Sequence, residues 1–371
     1  MPDSSTMKVA IIHYWLVNMR GGEKVLEALL ELYPDADIYT HVYDPKAVSD
    51  IINSHRVYTS YINKLPFAKK LHQKYMPLMP NALKDFDLQK YDLVISSESG
   101  PAKGVVPNPD AYHLCYCHCP MRYLWDMYHE YFRKSGALVR FFMKKMIPGL
   151  RIWDITSANM VDRFITNSHY VAKRIRRAYN REAEVVFPPV SIEKFLSVKR
   201  NPGDFYLFFG QVTSYKRVDI AIEACIRSGR PLVVAGAGAK KGDIKRYGKS
   251  ALVRFMGRVS DEEAVTLFSQ ARALLYPQIE DFGLIPVEAN AAGCPVIAFR
   301  RGGALDSIKE GVTGMFFDEQ TPESLIAALD AFEKREGEFA DREKFSLHVR
   351  QFSKEAFKDR IRNIIEERKR I

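Results

Sequence analysis

The chain has 371 residues, a formal net charge of +10 and a hydrophobic content of 47%. Because one hydrophobic core rarely serves more than about 250–300 residues, this length predicts two domains. Its five cysteines are too few for a secreted disulfide framework, and no apolar run approaches the roughly 18 residues of a membrane span. Composition therefore excludes a disulfide-rich secreted domain and a membrane-spanning protein, and it favours a reducing cytoplasm.

The first half of the chain reads as strands alternating with helices. A glycine pair, Gly21 and Gly22, follows the first strand as a turn and precedes an amphipathic helix, and Ser168 is the predicted N-cap of a later helix. This alternation is typical of a doubly wound, mostly parallel sheet. The predicted strands are KVAIIHYW, YDLVISSE, AYHLCYCHCP, DRFIT and EAEVVFPPV.

The strand AYHLCYCHCP surrounds one histidine with three cysteines. Side chains alternate along a strand, so Cys115, Cys117 and Cys119 share one face and His118 points to the other. Zinc ligands are usually spaced two or more residues apart, because the chain has to curl round the ion. The pattern therefore favours cysteines packed under the sheet over a metal site. It places His118 at the C-terminal tip of a strand, where open α/β sheets bind their ligands.

One segment, residues 131–153, is basic and amphipathic, with no acidic residue. Its composition suits an anionic membrane surface, and a core helix with a solvated basic face is the alternative reading. No nucleic-acid-binding module accompanies the charge, so no nucleic acid partner is expected. The basic residues are Arg133, Lys134, Arg140, Lys144, Lys145 and Arg151, interleaved with phenylalanine, leucine, valine, isoleucine and methionine.

After the polar stretch KRNPGD the alternation of strands and helices restarts, which predicts a second sheet of the same kind. A helix is predicted for SDEEAVTLFSQA, with a serine cap and acidic residues in its first turn. The chain ends in a long charged helix, SKEAFKDRIRNIIEERKRI. The predicted strands are DFYLFFGQV, PLVVAGAG, LVRFMGRV, RALLYPQ, PVIAFRRGG and TGMFFD.

The run PQIEDFGLIPVEANAAG carries the most specific chemistry. Glu280 and Glu288 flank Gly283, and a helix is predicted to start near Pro286. Proline is well placed in a first helical turn, because the N–H that it lacks would have no partner within the helix there. The free N–H groups of Gly283 and Leu284 would form an anion site suited to a diphosphate. Because Glu288 lies inside the helical turn and Glu280 before it, the two cannot flank one bond as glycosidase carboxylates do. We expect them to meet different parts of one ligand.

A second strand–turn–helix unit, FFGQVTSYKRVDIAIEA, repeats this arrangement. Its strand ends at Gly210, and Lys216 is predicted to open the next helix, exposed in a cleft where its ammonium group reaches a phosphate. The alternative is a solvated lysine beside a helix N-terminus, which the helix dipole disfavours. The nearby VVAGAGAKK lacks the full G-x-G-x-x-G pattern and is weak evidence for a dinucleotide.

These motifs resemble the retaining GT-B glycosyltransferases of family 4, and especially their bacterial O-antigen and lipopolysaccharide mannosyltransferases, over nearly the whole chain. The E-x7-E motif of that family matches Glu280 and Glu288, which implies that Glu280 approaches the donor sugar and Glu288 holds the ribose hydroxyls. The implied catalytic residues are His118, Glu280 and Lys216. The implied donor-binding residues are Gly21, Gly22, Gln211, Lys216, Arg217, Arg258, Val259, Gly283, Leu284 and Glu288.

The chain departs from the family pattern in two places. The G-R-x4-K element matches Gly210 to Lys216, but its arginine is Gln211 here, and Arg217 is the substitute cation that the resemblance leaves. The P-N-G of the family is replaced by PPVSIEKF. Elsewhere the match implies that the glycine pair closes over the donor phosphates and that Arg258 and Val259 border the base.

The resemblance implies an α/β fold of GT-B type, with two Rossmann-like doubly wound domains facing a central cleft. The first, acceptor-binding domain would cover residues 1–190 together with the C-terminal helix 353–371. The second, nucleotide-sugar-binding domain would cover residues 200–352. The implied reaction moves mannose from GDP-mannose to a polyprenyl-diphosphate-linked saccharide. The enzyme would be cytoplasmic and peripherally associated with the inner face of the cell membrane.

No cofactor is expected. Asp35 and Asp37 in PDADI look like a metal-binding D-x-D motif, but they begin the segment after the first helix, and the phosphate ligands already assigned need no divalent metal. Three alternatives stay open. They are a transferase with a UDP-sugar donor, a GT-B-type nucleotide-sugar epimerase, and a non-catalytic basic protein that binds membranes or nucleic acid.

Overall fold

A computed structural model of the chain describes residues 7–239, 242, 247–248 and 250–368. The chain divides into two compact units, one of Met1–Pro188 with Lys358–Ile371 and one of Pro189–Phe357. Each unit is built on one parallel sheet flanked by helices, so the predicted α/β class with two Rossmann-like domains is confirmed.

The sheet of the first unit has seven parallel strands in the order β3-β2-β1-β4-β5-β6-β7. This order is the one expected of a dinucleotide-binding type of sheet, with a reversal of direction at β1 and β4. The strands are β1 Val9–His13, β2 Asp37–Thr40, β3 Val57–Thr59, β4 Leu93–Glu98, β5 Tyr112–Cys117, β6 Arg163–Thr166 and β7 Ala183–Val185. Sequence analysis missed β2 and β3.

Helices cover the first sheet. The α-helices are Gly21–Leu32, Asp50–Asn53, Ala68–Leu71, Met79–Ala82, Tyr128–Lys134, Ala137–Ala158 and His169–Tyr179, and the 3-10 helices are Tyr61–Lys64, His72–Leu78, Leu83–Asp85 and Ala102–Gly104. The predicted cap at Ser168 is confirmed, because its hydroxyl accepts the N–H of Val171 at 3.1 Å. Among the described residues, no helix combines the length and the hydrophobicity needed to traverse a lipid bilayer.

The second sheet has six parallel strands in the order β10-β9-β8-β11-β12-β13, which repeats the topology of the first. All six match predicted strands. They are β8 Tyr206–Phe209, β9 Leu232–Ala235, β10 Val253–Gly257, β11 Leu274–Tyr276, β12 Val296–Phe299 and β13 Gly314–Phe317. The α-helices are Glu193–Leu196, Val218–Arg227, Asp261–Gln270, Leu284–Ala291, Ala304–Ser307, Pro322–Arg335 and Arg342–Val349, and the 3-10 helices are Ser214–Lys216, Glu336–Phe339 and Arg350–Phe352.

The last helix, Lys354–Arg368, ends in the first unit. Ion pairs hold it there: Lys358 Nζ lies 3.1 Å from Glu31 Oε2, and Arg163 Nη1 lies 3.0 Å from Glu367 Oε2. Salt bridges at the surface contribute little individually. The buried Ile361 and Ile364 therefore hold this helix more firmly than its charges do.

Candidate active site

His118 lies one residue beyond β5, at the C-terminal end of the first sheet. Three contacts from the ends of β4 and β6 fix it: its N–H donates to Glu98 O at 2.7 Å, its carbonyl accepts from Asn167 Nδ2 at 3.0 Å, and its Nε2 lies 2.9 Å from Ser97 Oγ. Burial, and then the neighbouring His13, lower the pKa of the His118 imidazole to about 3. The ring is therefore neutral at pH 7, which suits hydrogen bonding to a polar ligand.

The cysteines lie under the sheet. Cys115 and Cys117 are fully buried and pack in a cluster with Phe164 and Ile175. Burial raises the pKa of both thiols. Cys119 is also buried, but it lies beyond the strand and outside that cluster. Within the part of the chain that the structure describes, no group of three or more His, Cys, Asp or Glu side chains is placed to hold a metal ion.

The D-x-D look-alike is a structural carboxylate. Asp37 begins β2 and is 4% exposed. Its oxygens accept from the Tyr91 hydroxyl at 2.5 Å and pair with Arg56 Nε at 3.0 Å. Through the hydrogen bond to Oδ2 and the ion pair at Oδ1, Asp37 holds β2 to its neighbours inside the first unit.

The prediction that the glycine pair forms a turn before the first helix is wrong. Gly21 and Gly22 are the first two residues of the helix Gly21–Leu32, not a turn before it. The reason is a capping bond, in which Glu23 Oε2 accepts the N–H of Arg20 at 2.8 Å and starts the helix there. A Cβ at Gly22 would lie 2.8 Å from the Tyr14 hydroxyl and 3.7 Å from His118 Nε2. The absent side chain thus lets the start of the helix lie against His118.

Three further polar residues surround His118, and sequence analysis missed them. His13 ends β1, Ser97 is in β4, and Glu23 is in the first helical turn. The strand order β1-β4-β5 brings the ends of these strands side by side. The apolar runs VAIIH and LVISSE each end in polar residues, at positions where an apolar residue would extend the core. These polar residues were the signal in the sequence.

In the second unit, Lys216 and Glu280 form an ion pair. Lys216 Nζ lies 2.9 Å from Glu280 Oε1, and the Tyr276 hydroxyl donates to Glu280 Oε2 at 2.7 Å. The expectation that Lys216 is exposed is wrong, because its side chain is only 9% exposed. It also does not open the helix: it ends the 3-10 turn Ser214–Lys216, and Arg217 is the N-cap of the helix Val218–Arg227. From that turn its ammonium group reaches the carboxylate.

The predicted anion site lies beside this pair in sequence. Gly283, with φ +97°, is the N-cap of the helix Leu284–Ala291, so the N–H groups of this first turn have no intrahelical partner. A Cβ at Gly283 would come within 3.1 Å of the Tyr276 hydroxyl. Glu288 lies in the second turn of the helix, partly buried. Burial raises the pKa of its carboxyl group to about 7, with Lys194 lowering and Asp261 raising it to smaller extents.

The glycine pair after β12 supports the Glu280 loop. Gly303 N donates to Glu280 O at 2.8 Å, and a Cβ at Gly303 would lie only 2.2 Å from Phe282 Cα. Gly302 has φ +78°, a conformation that favours glycine. Gly302 and Gly303 therefore allow the loop that carries Glu280 to pack closely against their backbone.

The remaining predicted donor ligands lie at strand ends of the second sheet. Gln211 follows β8 and is exposed, and Arg258 and Val259 follow β10, with Arg258 exposed. Arg217 has φ +51°, and its guanidinium group pairs with Asp219 at 3.1 Å. The structure therefore gives Arg217 a local partner of opposite charge, which competes with a phosphate.

Comparison with known proteins identifies the family of the second unit. Residues 191–352 match the family described as Glycosyl transferases group 1. Alpha-1,3/1,6-mannosyltransferase ALG2 of Mus musculus is 26% identical over 260 residues, which cover 59% of this chain and 59% of that protein. D-inositol 3-phosphate glycosyltransferase of Streptomyces griseus is 27% identical over 232 residues, covering 50% of this chain and 49% of that protein. The matches thus span between about half and three fifths of these curated relatives.

Solved structures extend the likeness to both units. Anabaena Alr3699/HepE in complex with UDP and glucose has a TM-score of 0.68 at 17% identity, covering 97% of this chain and 99% of that chain. The lipopolysaccharide outer core galactosyltransferase WaaB, in its apo form, has a TM-score of 0.69 at 17% identity, covering 98% and 100%. Residues 191–352 therefore resemble the glycosyl transferases group 1 family in sequence, in a chain whose two units have the GT-B fold.

Proposed function

We propose that this protein is a retaining glycosyltransferase that moves mannose from GDP-mannose to a polyprenyl-diphosphate-linked saccharide in cell-surface polysaccharide synthesis. The observation that carries the proposal is the Lys216–Glu280 ion pair, 2.9 Å long, because Glu280 lies in the loop that leads to the helix start at Gly283. A cation that contacts this loop and a helix start whose first N–H groups have no intrahelical partner are suited to a diphosphate leaving group.

Each residue has a proposed role. Lys216 and the N–H groups of Gly283 and Leu284 stabilise the charge that develops on the departing diphosphate, because fixed donors need no reorganisation during the reaction. Glu288 accepts hydrogen bonds from the ribose hydroxyls. Glu280 and His118 orient the sugar and the incoming hydroxyl, whose proton passes to an oxygen of the donor phosphate. No covalent intermediate and no metal ion is needed in this scheme.

Mannose as the transferred sugar is supported by the likeness to ALG2, which is named an alpha-1,3/1,6-mannosyltransferase. A UDP-sugar donor is the second candidate, because Alr3699/HepE was solved with UDP and glucose and also with UDP-glucose. A thermal-shift panel of GDP-, UDP- and ADP-linked sugars separates the two. We expect the largest stabilisation from GDP-mannose; stabilisation by UDP-sugars alone would contradict the proposed donor.

The reaction type has its own tests. Incubating the enzyme with GDP-mannose and a lipid-linked acceptor should give an α-linked mannoside, recognised by the anomeric proton signal in NMR. A β-linked product would remove the chain from the retaining class. Incubation with the nucleotide sugar alone should give no isomer, and an isomer would favour an epimerase. Lys216→Ala is the control for contaminating activities.

We further propose that the helix Ala137–Ala158 binds an anionic membrane surface. Leu138 is 71%, Phe141 52%, Phe142 51% and Ile152 67% exposed, so the reading of this segment as a buried core helix is wrong for these side chains. Exposed aromatic and aliphatic residues interleaved with basic ones are typical of helices that lie in a membrane interface. Lys145 Nζ lies 4.7 Å from the centre of the Phe141 ring, so charge and apolar surface adjoin.

The opposite side of this helix is anchored. Asp154 is fully buried; it forms an ion pair with Lys103 and accepts from Trp125 Nε1 at 2.8 Å. Removing one member of a buried pair usually costs about 3–5 kcal/mol. The helix is therefore held firmly to the first unit, and its exposed apolar side chains stay at the surface.

Sedimentation with vesicles tests the membrane proposal. Each basic residue near an anionic surface contributes about 1 kcal/mol, so Lys144→Glu with Lys145→Glu should weaken binding by at least about 2 kcal/mol, roughly 30-fold. Lys309→Glu with Lys334→Glu makes the same change of net charge in the second unit and serves as the matched control. The proposal would be wrong if vesicle binding did not depend on anionic lipid or on salt, or if both double variants lost vesicle binding equally.

A further inference from the structure

A chain of buried polar side chains leads away from His118. Ser97 Oγ lies 2.9 Å from His118 Nε2 and 3.0 Å from His13 Nδ1, and His13 Nε2 lies 3.7 Å from Glu23 Oε1. His13 and Ser97 are fully buried and Glu23 is 1% exposed. Buried polar atoms take hydrogen-bond partners wherever geometry allows. Along this series of side chains, each residue should therefore donate to the neighbour on one side and accept from the neighbour on the other.

Glu23 sets that direction. Burial alone would raise the pKa of its carboxyl group, but the interaction with His13, together with backbone N–H groups, brings the pKa below its usual value. Glu23 is therefore a carboxylate, which only accepts hydrogen bonds. Its Oε2 already accepts the N–H of Arg20, so Oε1 is the oxygen that faces His13.

His13 Nε2 is buried and has no hydrogen-bond partner within the usual distance among the described residues. A bare lone pair there would face the carboxylate of Glu23 and be repelled, so Nε2 of His13 carries a hydrogen. With this as the single ring hydrogen of His13, its Nδ1 accepts the hydrogen of the Ser97 hydroxyl. The Ser97 oxygen in turn accepts from His118 Nε2–H.

We propose that Glu23, His13 and Ser97 are positioning residues that hold His118 in the tautomer with its hydrogen on Nε2. Nδ1 of His118, which has no hydrogen-bond partner among the described residues, is then a fixed acceptor. It would accept from a hydroxyl group, whether on the donor sugar or on the acceptor saccharide. The ligand class rests on the proposed function; the tautomer does not.

The tautomer is measured directly by two-bond 1H–15N NMR of the ring nitrogens in the full-length protein with 15N-labelled histidine, where the spectrum of His118→Gln identifies the signals of His118. We expect the pattern of a ring with Nε2 protonated and Nδ1 bare. In Ser97→Ala and in Glu23→Gln the pattern should shift to an average of both tautomers. A wild-type ring protonated on Nδ1, or a pattern unchanged in both variants, would overturn the inference.

Glu27→Gln is the matched control, because Glu27 lies one turn further along the same helix and contacts Lys24 instead of His13. It should leave the His118 pattern unchanged. Loss of the pattern in this variant as well would mean that the helix as a whole is disturbed, which also overturns the assignment.

Turnover tests the link to the proposed function. Glu23→Gln should lower kcat at least about 10-fold with little change in KM, the loss expected when a group that orients a functional histidine is removed. If the tautomer shifts as expected and kcat does not fall, the positioning of the ring stands and the proposed role of His118 in transfer fails.

Discussion

Nucleotide binding should depend on pH through Glu288. Burial raises the pKa of its carboxyl group to about 7 in the free protein. A carboxyl group that accepts from two ribose hydroxyls must be ionised, since only the carboxylate leaves both oxygens free to accept. Raising the pH therefore creates the binding form, and the affinity for a nucleoside diphosphate should increase with pH.

The size of the effect follows from the pKa. With a pKa of about 7, roughly one tenth of the molecules carry the carboxylate at pH 6 and roughly nine tenths at pH 8. If only the carboxylate binds ribose tightly, affinity rises about 10-fold across this range, which corresponds to about 1.4 kcal/mol. Binding at pH 7 should also release about half a proton from Glu288.

Isothermal titration calorimetry of GDP, in buffers that differ in ionisation enthalpy, measures both quantities. Glu288→Gln should bind GDP more weakly, and its affinity should depend less on pH. The pH dependence that remains should come from the phosphate itself, which titrates near pH 6. Glu280→Gln should retain the slope, because Glu280 is proposed to meet the sugar. Equal slopes in the wild type and in Glu288→Gln would refute the assignment of Glu288 to the ribose.

Four further outcomes are expected. Lys216→Ala should lower kcat about 100- to 1,000-fold, as is usual on loss of one transition-state charge stabiliser, and wild-type rates would contradict the phosphate role. Gly22→Ala should reduce turnover, because its Cβ would lie 2.8 Å from the Tyr14 hydroxyl; enzyme assays with circular dichroism separate this from unfolding. Burial raises the pKa of Glu98 from 4.5 to about 7, against the opposing effect of Lys103. The folded state thus binds more protons than the unfolded state, so the wild type loses stability as the pH rises from 4.5 to 7. In denaturant titrations over this range, the free energy of unfolding of Glu98→Gln should rise by about 3 kcal/mol relative to that of the wild type. Cys117→Ala should keep near-normal turnover and lose about 1–2 kcal/mol in stability, measured by the same titrations.

Most of the fold was predictable because buried parallel strands leave long apolar runs in the sequence. The two missed strands show where that signal ends. The strand β3, Val57–Thr59, is three residues long and none of them is fully buried. The strand β2 starts at Asp37, whose charge is balanced by Arg56 and Lys90, which are far away in sequence. Short or charged strands are recognised only from the neighbours with which they pair.

The sequence selects candidate residues one by one, but it does not give the contacts between them. Lys216 and Glu280 were both selected from the sequence, yet only the structure shows their ion pair, which buries the lysine that was expected to be exposed. His13 and Ser97 escaped notice because each is a single polar residue at or near the end of an apolar strand. Their meeting with His118 depends on the strand order β1-β4-β5, which follows from packing and not from the order of residues in the chain.

The burial of the cysteines turns them into reporters of local opening. All five are buried, with Cys115, Cys117 and Cys119 in the first unit and Cys225 and Cys294 in the second. Because the thiolate is the reactive form, a buried thiol with a raised pKa is alkylated only while its surroundings are open. Mass spectrometry after timed alkylation therefore follows the opening of each unit separately. Added nucleotide should slow the labelling of the second unit first, and vesicles that of the first.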